Sequence, residues 1–201
     1  MHKKTVAVYC ASSRNVREEF LDTAEELGRG LAKRNIEIIY GGGRAGLMGK
    51  VAEGALAEGG NITGVIPNFM MDLELGHTGL SKLHIVRDMH IRQAKMLREC
   101  DAVIALPGGT GTYTEFFEAV SWKRLGLVTI PIILVNIENF YDPMIEMLDR
   151  AFKEHFLAEE YRNLWKVTGT IAETLDMIND ELAYKDRAIE FDIDKIFGNS
   201  D

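Results

Sequence analysis

The sequence predicts an α/β protein, with a doubly wound parallel sheet of about seven strands flanked by helices. Short apolar runs alternate along the chain with longer segments in which apolar residues recur at helical spacing. Strands and helices that alternate in this way are typical of a parallel sheet covered by helices on both faces. A length of 201 residues suits one such domain, and neither an internal repeat nor a linker divides it.

The first half of the chain supplies four predicted strands and three predicted helices. An apolar stripe predicts the first helix, and the pair Gly59 and Gly60 ends the second. Pro67 ends the third strand, and Asp88 is placed to cap the third helix. The stretch 68–81 is predicted to be irregular. The predicted strands cover 6–10, 36–40, 62–66 and 83–86, and the predicted helices cover 16–34, 50–58 and 89–99.

The second half continues the alternation. A helix is predicted to run from the glycine-rich stretch 107–118 to about residue 125, and Asp142 and Pro143 open the next, with proline at its first helical position. The predicted strands cover 102–106, 132–135 and 165–168, and a last helix covers about 172–179.

Negative charge is concentrated at the C-terminal end. The net charge is −8, and residues 172–201 carry nine acidic and three basic side chains, a net of −6. We therefore interpret 1–201 as a single α/β domain with an acidic C-terminal extension from about residue 180. The rest of the chain is near neutral, which argues against a nucleic-acid partner because such proteins carry a basic patch.

The sequence also predicts a cytoplasmic location. No signal peptide is recognisable, and no apolar stretch approaches the roughly 20 residues that a membrane span needs. The two cysteines, Cys10 and Cys100, are predicted to be buried thiols of a reducing compartment.

The stretch 107–118, PGGTGTYTEFFE, is the main functional signal. It joins an apolar strand to a helix. Three of the four residues at positions 108–111 are glycine. Glycines let the backbone approach a ligand closely, while the free N–H groups and partial positive charge of a helix start favour an anion. The stretch therefore predicts a phosphate site. In a parallel sheet of this kind, Ser12 and the loop 41–49 would lie at the same strand ends.

Charged residues beside this turn are candidates for chemistry. Glu115 and Glu118 lie three residues apart and share a helix face. Arg92 falls in the first turn of the preceding helix, where the helix dipole disfavours a cation, so a substrate phosphate or Glu115 is predicted as its partner. A carboxylate can stabilise developing positive charge or activate water, and Glu115 is the candidate for this role. Glu118 and His90 are assigned supporting positions behind it.

Other phosphate and metal motifs are incomplete. Gly41, Gly43 and Gly46 match G-x-G-x-x-G, but they follow the second strand, and no acid stands twenty positions after Gly41. A Walker loop would need a hydroxyl where Val51 stands. The five histidines show no ligand spacing, so neither a metal nor another cofactor is predicted.

Taken together, these motifs resemble the LOG ("lonely guy") family of cytokinin riboside 5′-monophosphate phosphoribohydrolases, once labelled lysine decarboxylases. PGGTGTYTE fits the family's PGGxGTxxE, and YGGGRAGLMG and GVIP also match. VYCASS resembles its VYCGSS, and DMHIR, at 88–92, resembles the start of its DMHxRK. The resemblance covers roughly 6–168. Gln93 stands where the family has lysine, and this lost charge could alter affinity or substrate choice.

The resemblance implies a Rossmann-like homodimer that acts on a small nucleotide. It would hydrolyse the N-glycosidic bond of an adenosine-type 5′-monophosphate, as an AMP nucleosidase or in cytokinin biosynthesis, and release a free base and ribose 5-phosphate. Arg92 and Glu115 would form the catalytic pair. The predicted substrate contacts are Ser12, Gly42, Gly43, Glu74, Met89, Arg92, Gln93, Gly108, Gly109, Thr110, Gly111, Thr112, Tyr113, Thr114 and Ser121.

Two other functions remain open from the sequence. One is a non-catalytic protein that binds or senses nucleotides on the same fold, which the Gln93 departure leaves possible. The other is an amino-acid decarboxylase, which would need pyridoxal phosphate on Lys50 or Lys95, although nothing in the sequence marks either lysine for that role.

Overall fold

The computed structural model describes residues 3–72 and 76–185. Seven strands form one sheet. They are β1 (Thr5–Tyr9), β2 (Glu37–Tyr40), β3 (Ile62–Pro67), β4 (Lys82–Val86), β5 (Ala102–Ala105), β6 (Ile132–Val135) and β7 (Lys166–Thr168). The helices are α1 (Glu18–Lys33), α2 (Gly46–Ala57), α3 (Asn68–Asp72), α4 (Met89–Arg98), α5 (Thr110–Arg124), α6 (Asp142–Lys153) and α7 (Ile171–Lys185).

The strand order is β4-β3-β2-β1-β5-β6-β7, and every pair is parallel. The chain builds outward from β1 to β4 and then returns to place β5 on the other side of β1. The order of the sheet therefore reverses between β1 and β5, and such a point opens a crevice at the carboxyl ends of the strands. The α/β fold predicted from the sequence is confirmed.

Two apolar cores cover the two faces of the sheet. Alternate strand residues point to opposite faces, so Val6 and Val8 of β1 join one core while Ala7 and Tyr9 join the other. Residues of α1, α2 and α7 cover the first face, and residues of α4, α5 and α6 cover the second. The first turns of α4 and α5 therefore lie on the same side of the sheet.

Helices α1 and α2 pack with their backbones in close approach. A Cβ on Gly28 would lie 2.2 Å from the carbonyl oxygen of Val51, and a Cβ on Gly54 would lie 2.1 Å from that of Glu25. No side chain fits between the helices at either position. Gly28 and Gly54 lie inside their helices, and their lack of a side chain allows the short distance between α1 and α2.

The sequence located all seven strands, but it misplaced several helix boundaries. Helix α2 begins at Gly46, four residues before the predicted start, because Gly46 and Gly49 lie in its first turn. A short helix, α3, occupies the start of the stretch predicted to be irregular. Helix α7 continues to Lys185, well past the predicted end. Most of the predicted acidic extension lies outside the described residues.

Candidate active site

Three loops meet at the carboxyl ends of β1, β2 and β5. The amide of Ala11, after β1, donates to the carbonyl oxygen of Pro107, after β5, at 3.2 Å. The amide of Met48 in α2 donates to the carbonyl oxygen of Ala11, also at 3.2 Å. Gly46 packs against the same loop, since a Cβ there would lie 2.3 Å from the carbonyl oxygen of Ser13. The predicted clustering of these loops is therefore observed.

The glycine turn after β5 leaves the start of α5 open. Gly109 is the N-cap, with extended φ and ψ of −101° and −153°, and no side chain caps the helix. Its carbonyl oxygen accepts the first helical hydrogen bond, from the amide of Tyr113 at 3.0 Å. A Cβ at Gly109 or Gly111 would meet nothing within 4 Å. The first amides of α5 can therefore be reached by an anion.

The threonines of this segment have different environments. Thr112 is buried against Gly108, where an added Cβ would lie 2.1 Å from its Oγ1. Thr114 is exposed, and its hydroxyl donates to the carbonyl oxygen of Thr110 at 2.9 Å. Tyr113 packs edge-on against Tyr141. A ligand at this turn would thus meet backbone amides first.

Arg92 and Glu115 form a buried ion pair. Nη1 of Arg92 donates to Oε1 of Glu115 at 2.6 Å, and each residue is only 4% exposed. Arg92 is the fourth residue of α4 and Glu115 the sixth of α5. The predicted pairing is observed, and the alternative of a solvated surface arginine is excluded. An ion pair this deeply buried is expensive to desolvate, so its presence points to a role other than stability.

Two backbone groups position the guanidinium. Nε of Arg92 donates to the carbonyl oxygen of Val65 in β3 at 3.0 Å. The space it occupies exists because residue 41 is glycine, since a Cβ there would lie 2.2 Å from Nη2 of Arg92. The side chain of Met48 also borders this space. The ends of β2 and β3 therefore hold Arg92 toward Glu115.

Burial and neighbouring charges shift the pKa of both carboxyl groups of α5. Burial raises the pKa of the Glu115 carboxyl, Arg92 opposes this rise, and the charge of Glu118 adds to it. Burial also raises the pKa of Glu118, which is half-buried, and the charge of His90 opposes that rise. Arg92 and Glu118 thus act electrostatically on Glu115, and His90 acts on Glu118.

The remaining predicted contacts are spread around this pair. Gln93 is buried beside Arg92 on α4, whereas His90 is exposed. Met89, the first residue of α4, is half-buried. Ser121 is exposed and lies about 9 Å beyond Glu115 along α5.

The loop after β1 and the loop after β2 supply the other predicted residues. Ser12 is exposed. Gly42 has a positive φ of 74°, which favours glycine, and its carbonyl oxygen accepts from the amide of His77 at 2.9 Å. Gly43 is buried and forms a β-bridge with Gly76. Glu74 lies outside the described residues.

Sequence reasoning missed three contributors to the site. Val65 acts through its carbonyl oxygen, which leaves no trace in the sequence. The role of Gly41 was also missed, although its place at the end of a strand was a usable signal. Tyr9, buried at the end of β1, has its phenol pKa raised by burial and by the nearby charge of Glu115. Its ring belongs to the second core, near enough to the pair to feel the charges of Glu115 and Arg92.

A cavity of about 370 Å³ opens beside the glycine turn. Gly108 and Gly109 form part of its wall, and the loop after β1 forms another part. Phe20 and Phe140, which pack edge-on at 5.9 Å, contribute aromatic surface. Its lining does not include Arg92 or Glu115. The cavity thus borders the glycine turn that leads into α5 but not the ion pair.

Within residues 3–72 and 76–185, no group of three or more metal-binding side chains converges. No helix in the same ranges combines the length and the apolar composition needed to cross a membrane.

The chain is similar in sequence to several characterised or inferred hydrolases. Residues 48–178 match the family described as "Possible lysine decarboxylase". The cytokinin riboside 5′-monophosphate phosphoribohydrolase of Rhodococcoides fascians is 42% identical over 161 residues, which cover 80% of this chain and 81% of that protein. A probable enzyme of the same name from Oryza sativa subsp. japonica is 37% identical over 177 residues, covering 88% and 72%.

The fold itself is shared more widely. The Moco carrier protein of Chlamydomonas reinhardtii superposes with a TM-score of 0.70 over 91% of this chain and 99% of that one. Its sequence identity is only 21%, so this likeness concerns the Rossmann-like fold alone. The sequence relatives are closer and cover most of both chains. The chain therefore belongs to the LOG family, whose named members are cytokinin riboside 5′-monophosphate phosphoribohydrolases.

Proposed function

We propose that this protein hydrolyses the N-glycosidic bond of adenosine-type 5′-monophosphates, including N6-modified ones, to a free base and ribose 5-phosphate. The observation that carries the proposal is the buried Arg92–Glu115 pair beside the open start of α5. The names of the relatives describe the same reaction. An ion pair between two helices, at the carboxyl end of a parallel sheet, lies where such folds bind their ligands.

The phosphate of the substrate would bind the first amides of α5. Gly109 and Gly111 present backbone with no side chain over it, and the helix dipole favours the dianion there. Glu115 lies one to two turns along the same helix, about 6 to 9 Å from these amides. The short chain of bonds from the phosphate to the anomeric carbon can span such a distance. Phosphate binding would thus position the ribose.

Glu115 would act on the ribose. As the C1′–N bond breaks, its electron pair leaves with the base and positive charge develops on the sugar. An ionised carboxylate nearby stabilises that charge or accepts a proton from the attacking water. Water supplies the hydroxyl that bonds to C1′, and its proton balances the departing base. The apolar surroundings that raise the pKa of Glu115 also strengthen its interaction with a cationic sugar.

Arg92 would orient Glu115. Its guanidinium is held by the carbonyl oxygen of Val65 and bonds Oε1 of Glu115, so the second carboxylate oxygen is the one a substrate or water would meet. Arg92 also keeps Glu115 ionised in a buried place, because its charge opposes the effect of burial. The other predicted contacts, including Glu74 and Ser121, are proposed to bind the rest of the nucleotide. We further propose that the protein is cytoplasmic and acts as a homodimer.

Two other functions make different chemical demands. A nucleotide-binding protein without catalysis would have no need of a buried carboxylate next to the phosphate site. A decarboxylase would need a lysine free to form a Schiff base. Lys50 is instead paired with Glu25 and Glu53, and Lys95 with Glu99.

The direct test is release of a free base. Purified protein is incubated with AMP and with N6-isopentenyl-AMP, and the products are separated by chromatography. We expect a free base and ribose 5-phosphate in equal amounts from at least one of the two. If neither these nor any other purine or pyrimidine monophosphate releases a base, hydrolysis is excluded and the binding function gains support.

Glu115→Gln separates catalysis from binding. The amide keeps the size and a hydrogen-bond acceptor for Arg92 but loses the negative charge. We expect kcat to fall by about 100-fold or more while nucleotide binding persists, as measured by steady-state kinetics and calorimetry. Glu146→Gln, at an exposed position on α6, is the control and should behave like the parent. Near-normal turnover by Glu115→Gln would rule out the assigned role.

A further inference from the structure

A second cavity, of about 510 Å³, lies between the loop that precedes α1 and the first turns of α2. Three cationic side chains and one carboxylate line it, a net charge of +2 on a chain whose total is −8. They are Arg14, Arg44, Lys50 and Glu53. The cavity is therefore a local positive site on an acidic protein.

The two arginines carry this charge. Lys50 is neutralised by Glu53 at 2.8 Å and by Glu25 at 3.3 Å. Within the described part of the chain, neither Arg14 nor Arg44 has a carboxylate partner, and both side chains are exposed. Two unpaired guanidinium groups at one cavity repel each other, so an anion between them would relieve that repulsion.

Two glycines of α2, Gly46 and Gly49, line the cavity together with the arginines. A Cβ on Gly49 would lie 2.5 Å from the carbonyl oxygen of Arg44, and Gly46 has a positive φ of 60°. Gly49 thus allows the backbone of Arg44 to lie against the first turn of α2. A Cβ on Gly46 would lie 2.3 Å from the carbonyl oxygen of Ser13, so the segment that carries Arg14 also packs closely on this turn.

We propose that this cavity binds a small phosphorylated organic molecule, such as a sugar phosphate or a mononucleotide. Guanidinium groups bind phosphate oxygens in pairs, which suits a phosphate between Arg14 and Arg44. The volume lies in the range of small-molecule sites and exceeds what a lone phosphate fills. Leu21 and Ala45 supply apolar wall for the organic part. A long polyanion is disfavoured by the negative charge of the remaining chain.

This site is separate from the proposed catalytic one. Its lining includes no residue of the glycine turn after β5 and neither member of the Arg92–Glu115 pair. Both sites could therefore be filled at once. The inference goes beyond the proposed hydrolysis and does not depend on it.

The test uses a variant in which the catalytic phosphate site is blocked. Gly109→Asp places a carboxylate where the substrate phosphate would bind. The helix should tolerate it, since aspartate is a good N-cap and a Cβ there meets nothing within 4 Å. Inorganic phosphate, ribose 5-phosphate and AMP are each titrated into this variant by calorimetry. We expect one equivalent of ribose 5-phosphate or AMP to bind, more tightly than inorganic phosphate.

Removing the two arginines should abolish this binding. In the Gly109→Asp background, we expect the double variant Arg14→Gln with Arg44→Gln to bind ribose 5-phosphate or AMP about tenfold or more weakly. A loss of this size is typical when hydrogen bonds to a charged group are removed. Arg98→Gln with Arg150→Gln removes equal charge from exposed positions outside the cavity and should have no such effect.

Four results would overturn the site. They are no saturable binding, binding of inorganic phosphate alone, unchanged affinity after loss of Arg14 and Arg44, and equal weakening in the control. If the parent protein releases no base yet this binding is seen, the proposed hydrolysis fails while the second site stands.

Discussion

Gly41 determines where the guanidinium of Arg92 can lie. A Cβ on Gly41 would lie only 2.2 Å from Nη2 of Arg92. A long side chain can usually move aside from such a clash. Here the guanidinium is held at both ends, by Val65 and by Glu115, so it cannot move without losing a buried hydrogen bond.

We therefore expect Gly41→Ala to impair catalysis more than folding. The added methyl group displaces Arg92, which leaves Glu115 misoriented and poorly neutralised. The expected result is a fall in kcat of about tenfold or more, measured by base release, with a smaller change in thermal unfolding. Gly169→Ala is the matched control, because its Cβ would meet only one atom within 4 Å, at 3.9 Å. Equal activity of the two variants would contradict this role.

The coupling between Glu115 and Glu118 predicts a pH effect. The ionised form of Glu115 is the active one, and its pKa is raised, so kcat/KM should begin to fall at a higher pH than for an ordinary glutamate, near 4.3. Glu118→Gln removes a negative charge that contributes to the raised pKa. The acid limb of the profile should therefore move to lower pH.

The control for this shift is again Glu146→Gln, which removes an exposed carboxylate from another helix and should leave the acid limb in place. Because Glu118 affects the titration of Glu115, the apparent pKa of the acid limb need not belong to Glu115 alone. The direction in which the limb moves is therefore the result that tests the prediction. A limb that stays fixed or moves to higher pH in Glu118→Gln would show that Glu115 does not govern it.

At the level of single residues, the sequence predicted groups that act through their side chains. Arg92 stood out because a cation in the first turn of a helix needs a partner, and that partner is Glu115. The Val65 carbonyl could not be predicted, since every residue has one. The clearance at Gly41 depends on how α4 packs over β2, which no local pattern records.

At the level of elements, apolar runs identified the strands, but the glycines near the start of α2 led to a wrong prediction of where that helix begins. Gly46 and Gly49 were taken for a loop, yet both lie in the helix. Their function is close approach: Gly46 to Ser13, and Gly49 to Arg44. A glycine that ends a helix and a glycine that lets another backbone pack closely look the same in a sequence. Only the tertiary packing distinguishes the two.

The close packing of α1 on α2 gives a prediction about stability. In Gly28→Ala the new methyl group would overlap the carbonyl oxygen of Val51, a backbone atom that cannot turn aside. We expect a loss of about 1–3 kcal/mol in the free energy of unfolding, despite the better helix propensity of alanine. Chemical denaturation measures it. Glu26→Ala, exposed on the same helix, should change stability by less than about 0.5 kcal/mol.

At the level of the whole molecule, the reversal of strand order between β1 and β5 places the site. The sequence predicted a parallel sheet, and therefore that its loops would gather at one edge. The order of strands was not predictable in the same way, because alternating strands and helices fit several orders. The observed order brings the loop after β1 next to the glycine turn after β5.

The proposed homodimer also concerns the whole molecule. Apolar side chains are exposed near the edge strand β4: Phe69 in α3 (53%), Ile85 in β4 (55%) and Ile91 in α4 (40%). We expect sedimentation to show a dimer, and Ile85→Lys with Ile91→Lys to shift it toward monomer. Leu125→Lys, at an exposed apolar residue after α5, is the control and should leave the mass unchanged. A monomeric parent protein would disprove the assembly.

The attachments of Arg92 have a consequence for synthesis on the ribosome. Val65 precedes Arg92 in the chain, whereas Glu115 follows it by 23 residues. A nascent chain that has emerged only as far as α4 can form β1 to β4, yet it holds a cation with no counter-ion to bury. We expect the face of the sheet under α4 to stay hydrated until α5 has been synthesised. The second core would then close only when Glu115 can pair with Arg92.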